Sequence, residues 1–383
     1  MKRNIVTGID IGTNTTRVII AEISKNSGAP HIVGMGRVES KGMRSGYVVN
    51  INEITKSVRA ALNMAEKESG IRVRNVFLSI GGIGLESVVG HGSVMISRAD
   101  NEVTDMDIEK VTVAAKEKLA LTNKRIIETV PVSYKLDNKE VYGDPVGLKG
   151  SKLEAKILFT ICFEPHLDDI MRATEDAGVE VEDVISAPIA ASLVALTKRQ
   201  RVAGCLLANI GAETVSIAVF ENDIPISLEV FLVGSTDITN DIALGFQIPL
   251  EEAENMKMEK TQTFEVKKLN EIIEARLADI FELIELHLKK IDRNGLLPAG
   301  IIITGGGAGI ATIEDFAKSA LVLPSKIAHM TINDHENGFQ DSLWFVAYGL
   351  CIFGFNQTKE SPAWLGFKKY TQGFFSWFKQ FLP

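Results

Sequence analysis

The stretch IVTGIDIGTNTTRVIIAEI, residues 5–23, decides the fold of this chain. An apolar run ends at Asp10, a short turn follows, and a second apolar run returns from Val18 to Ile23. This pattern predicts two antiparallel strands joined by a tight turn. Gly12 lets the backbone come close to a ligand, and three residues with N–H and side-chain donors follow it: Thr13, Asn14 and Thr15. The turn is therefore a candidate phosphate-binding loop.

Asp10 ends a buried strand, where a carboxylate without a partner is unfavourable. A hydrated Mg²⁺ ion bound to the same phosphates is the natural partner, because Mg²⁺ keeps several of its waters in protein sites. Ordinary hairpin turns also contain Asp-x-Gly followed by Thr and Asn. This stretch alone therefore leaves both interpretations open.

A second stretch, LLANIGAETVSIAVF at residues 206–220, repeats the pattern of the first. The six residues from Asn209 to Thr214 align with those from Asp10 to Thr15. The candidate ligand contacts in this copy are Asn209, Gly211, Ala212, Glu213 and Thr214. Two such hairpins predict a duplicated architecture with a ligand held between the two halves.

A third stretch, AGIIITGGGAGI at residues 299–310, predicts a buried strand that leads through glycines into a helix near Ile310. Its candidate contacts to a base and a ribose are Gly305, Gly306 and Gly307, because glycines allow a flat group to lie on the backbone. A purely structural strand-to-helix turn is the alternative. Together the three segments resemble the phosphate-1, phosphate-2 and adenosine motifs of the actin and Hsp70 ATPase superfamily. The resemblance implies a two-lobed α/β fold that binds ATP and Mg²⁺.

Residues 143–161, GDPVGLKGSKLEAKILFTI, narrow the resemblance further. They are similar to the NPVGLxGxxLxAxxHxIT pattern of the bacterial cell-division FtsA family, which has a subdomain called 1C in place of the subdomain 1B of actin. A strand at Glu86–Ile96, a helix at Thr104–Ala120 with a capping box, and two further strands fit such an inserted α+β module.

The expected fold is therefore an actin-like, two-lobed α/β ATPase fold with duplicated mixed sheets, flanking helices and an inserted 1C subdomain. The expected boundaries are as follows: subdomain 1A at 1–83 and 166–199, with a helix at 341–355; 1C at 84–165; 2A at 200–245 and 297–340; a shortened 2B at 246–296; a linker at 356–372; and a terminal amphipathic helix at 373–383.

The FtsA resemblance also implies further nucleotide contacts. VGSTDITNDIALGF, residues 233–246, resembles the family's VGGxxITxDIA, which makes Gly234 and Ser235 candidate ligands. The helix at 269–291 resembles the family helix beside the adenosine pocket, and on that basis Glu271 and Glu274 are candidates for ribose contact. The alternative is that both carboxylates only face solvent.

Two departures from the family pattern concern catalysis. Asn209 stands where Asp is usual, so the second loop keeps its hydrogen-bonding capacity and loses a charge that would help to hold Mg²⁺ and orient water. Glu213 could compensate for that loss, or it could repel phosphates. The Ser186–Pro188 segment lacks the acid that MreB places there. We therefore expect slow or absent ATP turnover.

Composition excludes several classes of function. The chain has 383 residues and a net charge of -8, with a pI near 5.5. No basic face is evident, so we expect no nucleic-acid partner. The three cysteines, Cys162, Cys205 and Cys351, lie far apart in apolar surroundings, which favours buried thiols in a reducing cytosol. No signal peptide and no membrane-spanning run is recognised, so the protein is expected in the cytoplasm.

The last residues, GFFSWFKQFLP at 373–383, give an independent signal. At helical spacing the aromatic residues fall on one face, which predicts an in-plane membrane anchor after a polar linker. A helix that caps a core or an oligomer interface is the alternative. The membrane contacts predicted in this segment are Phe374, Phe375, Trp377, Phe378, Lys379, Phe381 and Leu382. Lysines without acidic neighbours favour anionic lipid.

These resemblances imply an ATP-binding protein that polymerises on the inner face of the membrane at the division septum. By family resemblance its partners would be itself, the carboxy-terminal peptide of FtsZ at subdomain 2B, later division proteins and anionic lipid. The segment EKTQTFEVKK at 259–268 is shorter than in FtsA, which puts the details of FtsZ docking in doubt. A PilM-like pilus adaptor and a small-molecule kinase of the same fold are the alternatives.

Overall fold

The predicted hairpin lies at the centre of the first sheet. The protein is represented by a computed structural model that describes residues 4–24, 29–258, 266–329 and 342–358. The first elements are, in chain order, β1 (Ile5–Ile11), β2 (Thr15–Glu22), β3 (His31–Glu39), a small ribbon of β4 (Met43–Arg44) and β5 (Tyr47–Val48), helix α1 (Ile51–Ser69) and β6 (Asn75–Ile80). β1 and β2 are antiparallel, and Asp10 lies opposite Arg17.

Helix α1 forms where its apolar spacing predicts it. At helical spacing Ile54, Val58, Ala61, Leu62 and Ala65 fall on one face, and this face is buried. The Asn50 side chain caps the first turn, and Gly70 ends the helix in the left-handed conformation with φ of 67°. That conformation favours glycine because a Cβ is strained there.

The inserted module has its own sheet and core. Its elements are β7 (Glu86–Met95), α2 (Asp105–Lys116), β8 (Lys124–Leu136), β9 (Lys139–Val141) and β10 (Lys152–Phe163). The strands form an antiparallel sheet in the order β7-β10-β8-β9, and α2 packs on it. The Asp107 carboxylate accepts a bond of 3.0 Å from the Thr104 N–H, as the capping box predicts. The helix ends at Lys116, four residues before the predicted end.

The chain then returns to the first sheet and builds a second one. The first part consists of α3 (Glu164–Asp176), β11 (Glu180–Ser186), α4 (Ala187–Ala195) and α5 (Lys198–Ala203). The second part consists of β12 (Cys205–Ile210), β13 (Val215–Glu221), β14 (Ile224–Phe231), α6 (Ser235–Phe246), α7 (Leu250–Met258), α8 (Val266–Lys290), β15 (Ile301–Thr304), α9 (Ile313–Leu321), β16 (Ser325–Ile327) and α10 (Phe345–Thr358).

The two large sheets have the same topology. Their strand orders are β11-β6-β1-β2-β3 and β16-β15-β12-β13-β14. In each sheet the central strand pairs antiparallel with a hairpin partner on one side and parallel with a later strand on the other. The predicted duplicated α/β fold with an inserted α+β module is confirmed. We call the first sheet with α1, α3, α4, α10 and the module lobe I, and the second sheet with α5 to α9 lobe II.

The two lobes share part of one core. Successive residues of a strand point to opposite faces, and β12 uses both. Leu206, Ala208 and Ile210 lie in the core of lobe II with α8. Cys205 and Leu207 lie in the core that contains β1, α4 and α10 of lobe I. The three cysteines are buried and free, as predicted.

Helix α10 approaches its neighbours at backbone distance. A Cβ added at Gly8 of β1 would lie 2.2 Å from the Ala347 carbonyl oxygen, and one added at Gly349 would lie 1.9 Å from the Ala190 carbonyl oxygen of α4. Only glycine permits these approaches. The contacts hold α10 against both the central strand of lobe I and the helix that leads into lobe II.

The inserted module is bonded both to the rest of lobe I and to lobe II. The Glu128 carboxylate accepts bonds from the N–H (2.9 Å) and hydroxyl (2.8 Å) of Ser186 at the start of α4. On the other side, the Ser87 hydroxyl accepts from the Leu228 N–H at 2.7 Å and donates to the Leu228 carbonyl at 3.1 Å. One serine of the module thus satisfies both backbone groups of a residue on β14, the edge strand of lobe II.

Two predictions concern residues beyond the last helix. The linker at 356–372 begins within α10, which continues to Thr358. The amphipathic helix predicted at 373–383, with Phe374 and its six partners, lies outside the described residues. Among the described helices, none combines the length and apolarity needed to cross a membrane.

The close packing of α10 on α4 gives the first testable prediction. We expect Gly349→Ala to lower the free energy of unfolding by about 1–3 kcal/mol because its Cβ must displace backbone, although alanine has the better helix propensity by about 1 kcal/mol. Urea denaturation measures the loss. Gly81→Ala is the matched control, because nothing lies within 4 Å of a Cβ there. Equal midpoints for the two variants would contradict the packing argument.

Candidate nucleotide-binding cleft

The two predicted turns have the same local geometry. The Gly12 N–H donates to the Thr15 carbonyl at 3.1 Å, and the Gly211 N–H donates to the Thr214 carbonyl at 2.8 Å. A Cβ on either glycine would lie about 3 Å from that same carbonyl oxygen, at 3.0 Å in the first turn and 2.9 Å in the second. Both turns therefore need glycine at the same position, and the alignment of Asp10 with Asn209 holds in three dimensions.

Both turns line one cavity of about 520 Å³ between the lobes. This volume lies within the usual range of small-molecule sites, about 300–1,000 Å³. The predicted residues that line it are Asp10, Gly12, Thr13, Asn14, Thr15, Asn209, Gly211, Ala212, Thr214, Ser235, Gly305 and Gly306. The structure thus brings together twelve residues that are dispersed over four segments of the sequence.

Asp10 lies at the bottom of the cavity and is only 8% exposed. Its carboxylate accepts a 2.8 Å bond from the Ser79 hydroxyl and lies 3.7 Å from an Arg17 guanidinium nitrogen. Burial raises the pKa of Asp10 above its usual value, and Arg17 and Ser79 partly oppose that shift. A carboxylate in this setting gains from a cation in the cavity.

Two arginines that line the cavity together with the Gly12–Thr15 turn were not predicted. Arg17 on β2 and Arg37 on β3 lie directly opposite each other in the sheet, and both line the cavity. Like charges placed opposite each other are unfavourable, so this pair suits an anionic ligand. The signal in the sequence was an arginine directly before the apolar run of β2, TTRVIIAE at Thr15–Glu22.

The third segment meets the second turn from within lobe II. Gly305 has a φ of 89°, and a Cβ there would lie 2.5 Å from both Asn209 Oδ1 and the Ile210 carbonyl oxygen. Gly307 does not line the cavity, because it packs against the Ile210 side chain, 2.3 Å from its would-be Cβ. A turn of 3₁₀ helix follows, so α9 begins at Ile313 rather than near the predicted Ile310.

The start of α6 holds the second turn in place. The N–H of Ser235 donates to the Gly211 carbonyl at 2.9 Å, and the N–H of Thr236 donates to the Ala212 carbonyl at 2.8 Å. Gly234 packs beneath this turn, where a Cβ would lie 2.2 Å from the Ala212 carbonyl oxygen, and it does not line the cavity. Ser235 does line the cavity, so the loop predicted at 233–246 does approach the ligand space.

Glu271 and Glu274 do not reach the cavity, which corrects the prediction for these two residues. The apolar stripe of α8, with Leu269, Ile273 and Leu277, faces the core and turns both carboxylates to solvent. The helix before it supplies the carboxylate instead: Glu254 of α7 lines the cavity.

Glu254 belongs to a small polar network. Its carboxylate accepts a 2.6 Å bond from the Lys257 ammonium group, which is buried and also donates to the Ser235 carbonyl at 3.0 Å and the Thr239 hydroxyl at 2.8 Å. These bonds fix a carboxylate beside the ligand space. The spacing of Glu254 and Lys257, three residues apart on one helix, was the signal that sequence reasoning missed.

Glu213 also lies outside the cavity lining. Its carboxylate crosses to lobe I and accepts a hydrogen bond from the backbone N–H of Ser45. The neighbouring Gly46 N–H donates to the Thr13 hydroxyl at 3.2 Å. One turn of lobe I therefore contacts both candidate phosphate loops.

The start of α4 places no acidic side chain in the cavity. Ala187 lines the cavity there, and Ser186 is fully buried with its N–H and hydroxyl bonded to Glu128. Within the described ranges, no three His, Cys, Asp or Glu side chains come together to hold a metal ion.

Comparison with solved structures agrees with this architecture. A chain of the PilM-PilN type IV pilus biogenesis complex matches with a TM-score of 0.68 at 17% identity, over 92% of this chain and 99% of that one. MreB5 of Spiroplasma citri bound to ADP matches with a TM-score of 0.54 at 13% identity, over 93% of this chain and 98% of that one. The chain has the actin-like ATPase fold.

Comparison of sequences gives the family. The family model described as Cell division protein FtsA matches residues 206–349, and the model described as SHS2 domain inserted in FTSA matches residues 82–160. Relatives named Cell division protein FtsA include those of Pseudomonas aeruginosa, 27% identical over 93% of this chain and 90% of that protein, and of Escherichia coli K12, 27% identical over 99% and 96%. The chain belongs to the FtsA family of cell division proteins.

The network around Glu254 gives a testable prediction. Glu254→Gln keeps one oxygen for Lys257 and loses the charge, so we expect ATP affinity to fall by about tenfold, the value of one hydrogen bond to a charged group. Isothermal calorimetry measures the change. Glu274→Gln is the matched control and should bind ATP as the parent does. The reverse pattern would show that α8, not α7, contacts the nucleotide.

Proposed function

We propose that the cleft binds ATP with Mg²⁺ and that nucleotide occupancy regulates assembly of the protein on the membrane during cell division. The observation that carries the ATP site is the pair of equivalent turns, Gly12–Thr15 and Gly211–Thr214, on opposite sides of one cavity. Backbone N–H groups, Thr hydroxyls and Arg17 are the donors that phosphate oxygens need.

The other parts of the ligand follow from the remaining lining. Asp10 would hold a hydrated Mg²⁺, since one carboxylate plus phosphates is the usual set for this ion. When bound, the ion would neutralise part of the negative charge of the phosphates. Gly305 and Gly306 offer a bare backbone surface for the adenosine, and Glu254 offers a carboxylate to the ribose hydroxyls. The structures of Spiroplasma citri MreB5 bound to ADP and to AMPPNP support a nucleotide in this fold.

We expect slow turnover. The residue opposite Asp10 across the cleft is Asn209, which cannot supply negative charge, and neither Ser186 nor Ala187 at the start of α4 is an acid. Phosphoryl transfer to water needs an oriented nucleophile and charge stabilisation. With two acidic groups missing from the cleft, ATP would act mainly as a conformational ligand.

The membrane proposal rests on the sequence of the tail. The aromatic face from Phe374 to Leu382, with Lys379, suits insertion into the headgroup region of an anionic membrane. One such helix binds reversibly, and joining many subunits into a filament multiplies the anchors. In the sequence, a polar segment after Thr358 separates the tail from the last described helix.

The partner proposal rests on family membership and on one surface. Leu244 (78% exposed) and Leu250 (58% exposed) lie close to Phe246 in the chain, and the Lys268 ammonium is 4.5 Å from the centre of the Phe246 ring. An apolar surface with lysines suits an acidic, partly apolar peptide. We assign this face, formed by α6, α7 and the start of α8, to the carboxy-terminal peptide of FtsZ, and the inserted module to one end of the filament contact.

Two other functions make different predictions. A PilM-like adaptor is favoured by the TM-score of 0.68, and such an adaptor would need a partner to reach a membrane. A small-molecule kinase would need a carboxylate base beside a substrate cleft and would show activity in a coupled kinase assay.

The tail gives the test that separates these functions. We expect a chain ending at Ser361 to lose co-sedimentation with vesicles that contain anionic lipid, and to keep ATP and FtsZ-peptide binding by calorimetry, because the tail is a separate module. Phe378→Glu in the full chain should have the same effect, since a charge replaces an aromatic residue on the inserted face. Vesicle binding by the truncated chain would contradict the anchor.

Asn209 gives a second test. We expect Asn209→Asp to raise Mg²⁺-dependent ATP hydrolysis by about tenfold or more, because a carboxylate there adds a partner for the ion and the water. Phosphate release measures the rate. Asn14→Asp adds the same charge to the opposite turn and is the control for charge alone, with no increase expected. An unchanged rate in Asn209→Asp would show that another group limits turnover.

A further inference from the structure

The turn between β4 and β5 contacts both lobes at the phosphate end of the cleft. Met43 pairs with Val48 and Arg44 with Tyr47, which leaves Ser45 and Gly46 as a two-residue turn. Both have positive φ, 53° and 77°, as a tight hairpin turn of this kind requires. The N–H groups of these two residues donate outside the ribbon: Gly46 to Thr13 and Ser45 to Glu213.

This turn is fixed relative to lobe I. A Cβ added at Gly46 would lie 2.4 Å from the Cα of Gly82, so the turn lies directly on the loop that follows β6. The 3.2 Å bond from the Gly46 N–H to the Thr13 hydroxyl adds a second attachment, to the first phosphate loop. A residue that binds the Ser45 N–H therefore binds lobe I itself.

Glu213 is equally fixed in lobe II. The turn that contains Glu213 is closed by the hydrogen bond between Gly211 and Thr214. Two N–H groups at the start of α6 donate to the carbonyls of Gly211 and Ala212 in the same turn. The Glu213 carboxylate accepts from Ser45 across the gap between the lobes. Neither Ser45 nor Glu213 lines the cavity, although Thr13 and Gly46 do. The contact therefore lies beside the ligand space and does not fill it.

We propose that Glu213 is a positioning residue that holds the phosphate end of the cleft closed before nucleotide binds. A hydrogen bond to a carboxylate is stronger than one between neutral groups. This bond joins two rigid turns, one from each lobe. The carboxylate is directed at a backbone donor, so it acts by attraction between the lobes and not by repulsion of phosphate. The proposal uses the ATP site proposed above only for its effect on affinity.

A closed resting state has a measurable consequence for binding. A ligand that binds only the closed form has an apparent dissociation constant equal to the intrinsic one divided by the closed fraction. If Glu213 raises that fraction, its removal must weaken ATP binding by the same factor by which the closed fraction falls. The distance between the lobes and the affinity for ATP can be measured independently.

The experiment uses the full chain with one spin label on each lobe, at Lys67→Cys on α1 and Lys318→Cys on α9, which are exposed positions. The native cysteines are buried. Pulsed electron paramagnetic resonance without nucleotide should give one narrow distribution of the distance between the two labels in the parent. Glu213→Ala should shift it to longer and broader distances, and Glu213→Gln, which keeps a neutral acceptor, should lie between. Glu274→Ala, an exposed carboxylate on lobe II, should match the parent.

An unchanged distribution in Glu213→Ala without nucleotide would overturn the proposal. Thermal melting of each variant verifies folding, and Glu213→Gln serves if the alanine variant unfolds. Calorimetry with MgATP should show weaker binding by the factor that the distances give, whereas tighter binding would show that the carboxylate repels phosphate and would also overturn the proposal. A parent that binds no ATP would refute the proposed ATP site, while the distances measured without nucleotide would still decide the role of Glu213.

Discussion

The close packing of α10 against α4 and β1 is the constraint on which the rest of the structure depends. Gly8 allows the backbones of β1 and α10 to touch, and Gly349 does the same for α10 and α4. In the chain, α4 leads directly towards lobe II. Since the same buried core includes one face of β12, this packing sets the position of the second sheet relative to the first. The two phosphate loops face each other because their central strands are held in this way. A cleft between lobes thus depends on glycines that lie far from it.

Most of the fold could be predicted because its signals are local. The hairpins at Asp10 and Asn209 are encoded by apolar runs and by glycines at matching positions, and α1 by apolar spacing with Asn50 and Gly70 at its ends. The duplication followed from alignment of the two turns. Strand order was harder to predict, because the parallel pairing of β6 with β1 depends on contacts between residues far apart in the chain. There the resemblance to a known family supplied what periodicity could not.

The candidate site could be predicted only in part, and the reason differs between residues. The conformation around turn residues such as Thr13 and Thr214 is set by the neighbouring residues of the same turn, so their place in the cleft follows from the local sequence. Carboxylates on helices depend on which face turns to the core. The apolar stripe of α8 already opposed the choice of Glu274, whereas Glu254 required knowledge of how α7 packs. Arg37 lies in the cleft through its pairing with Arg17 across two strands, which no single segment reveals.

The bond between Ser87 and Leu228 has a mechanical consequence. The inserted module is continuous in sequence with lobe I, yet its edge strand is fastened to the edge of lobe II by a side chain rather than by a backbone ladder. Rotation of one lobe against the other must therefore either shear the Ser87 contact or carry the module along. The orientation of the module surface would then depend on the angle between the lobes, although the module does not line the cleft.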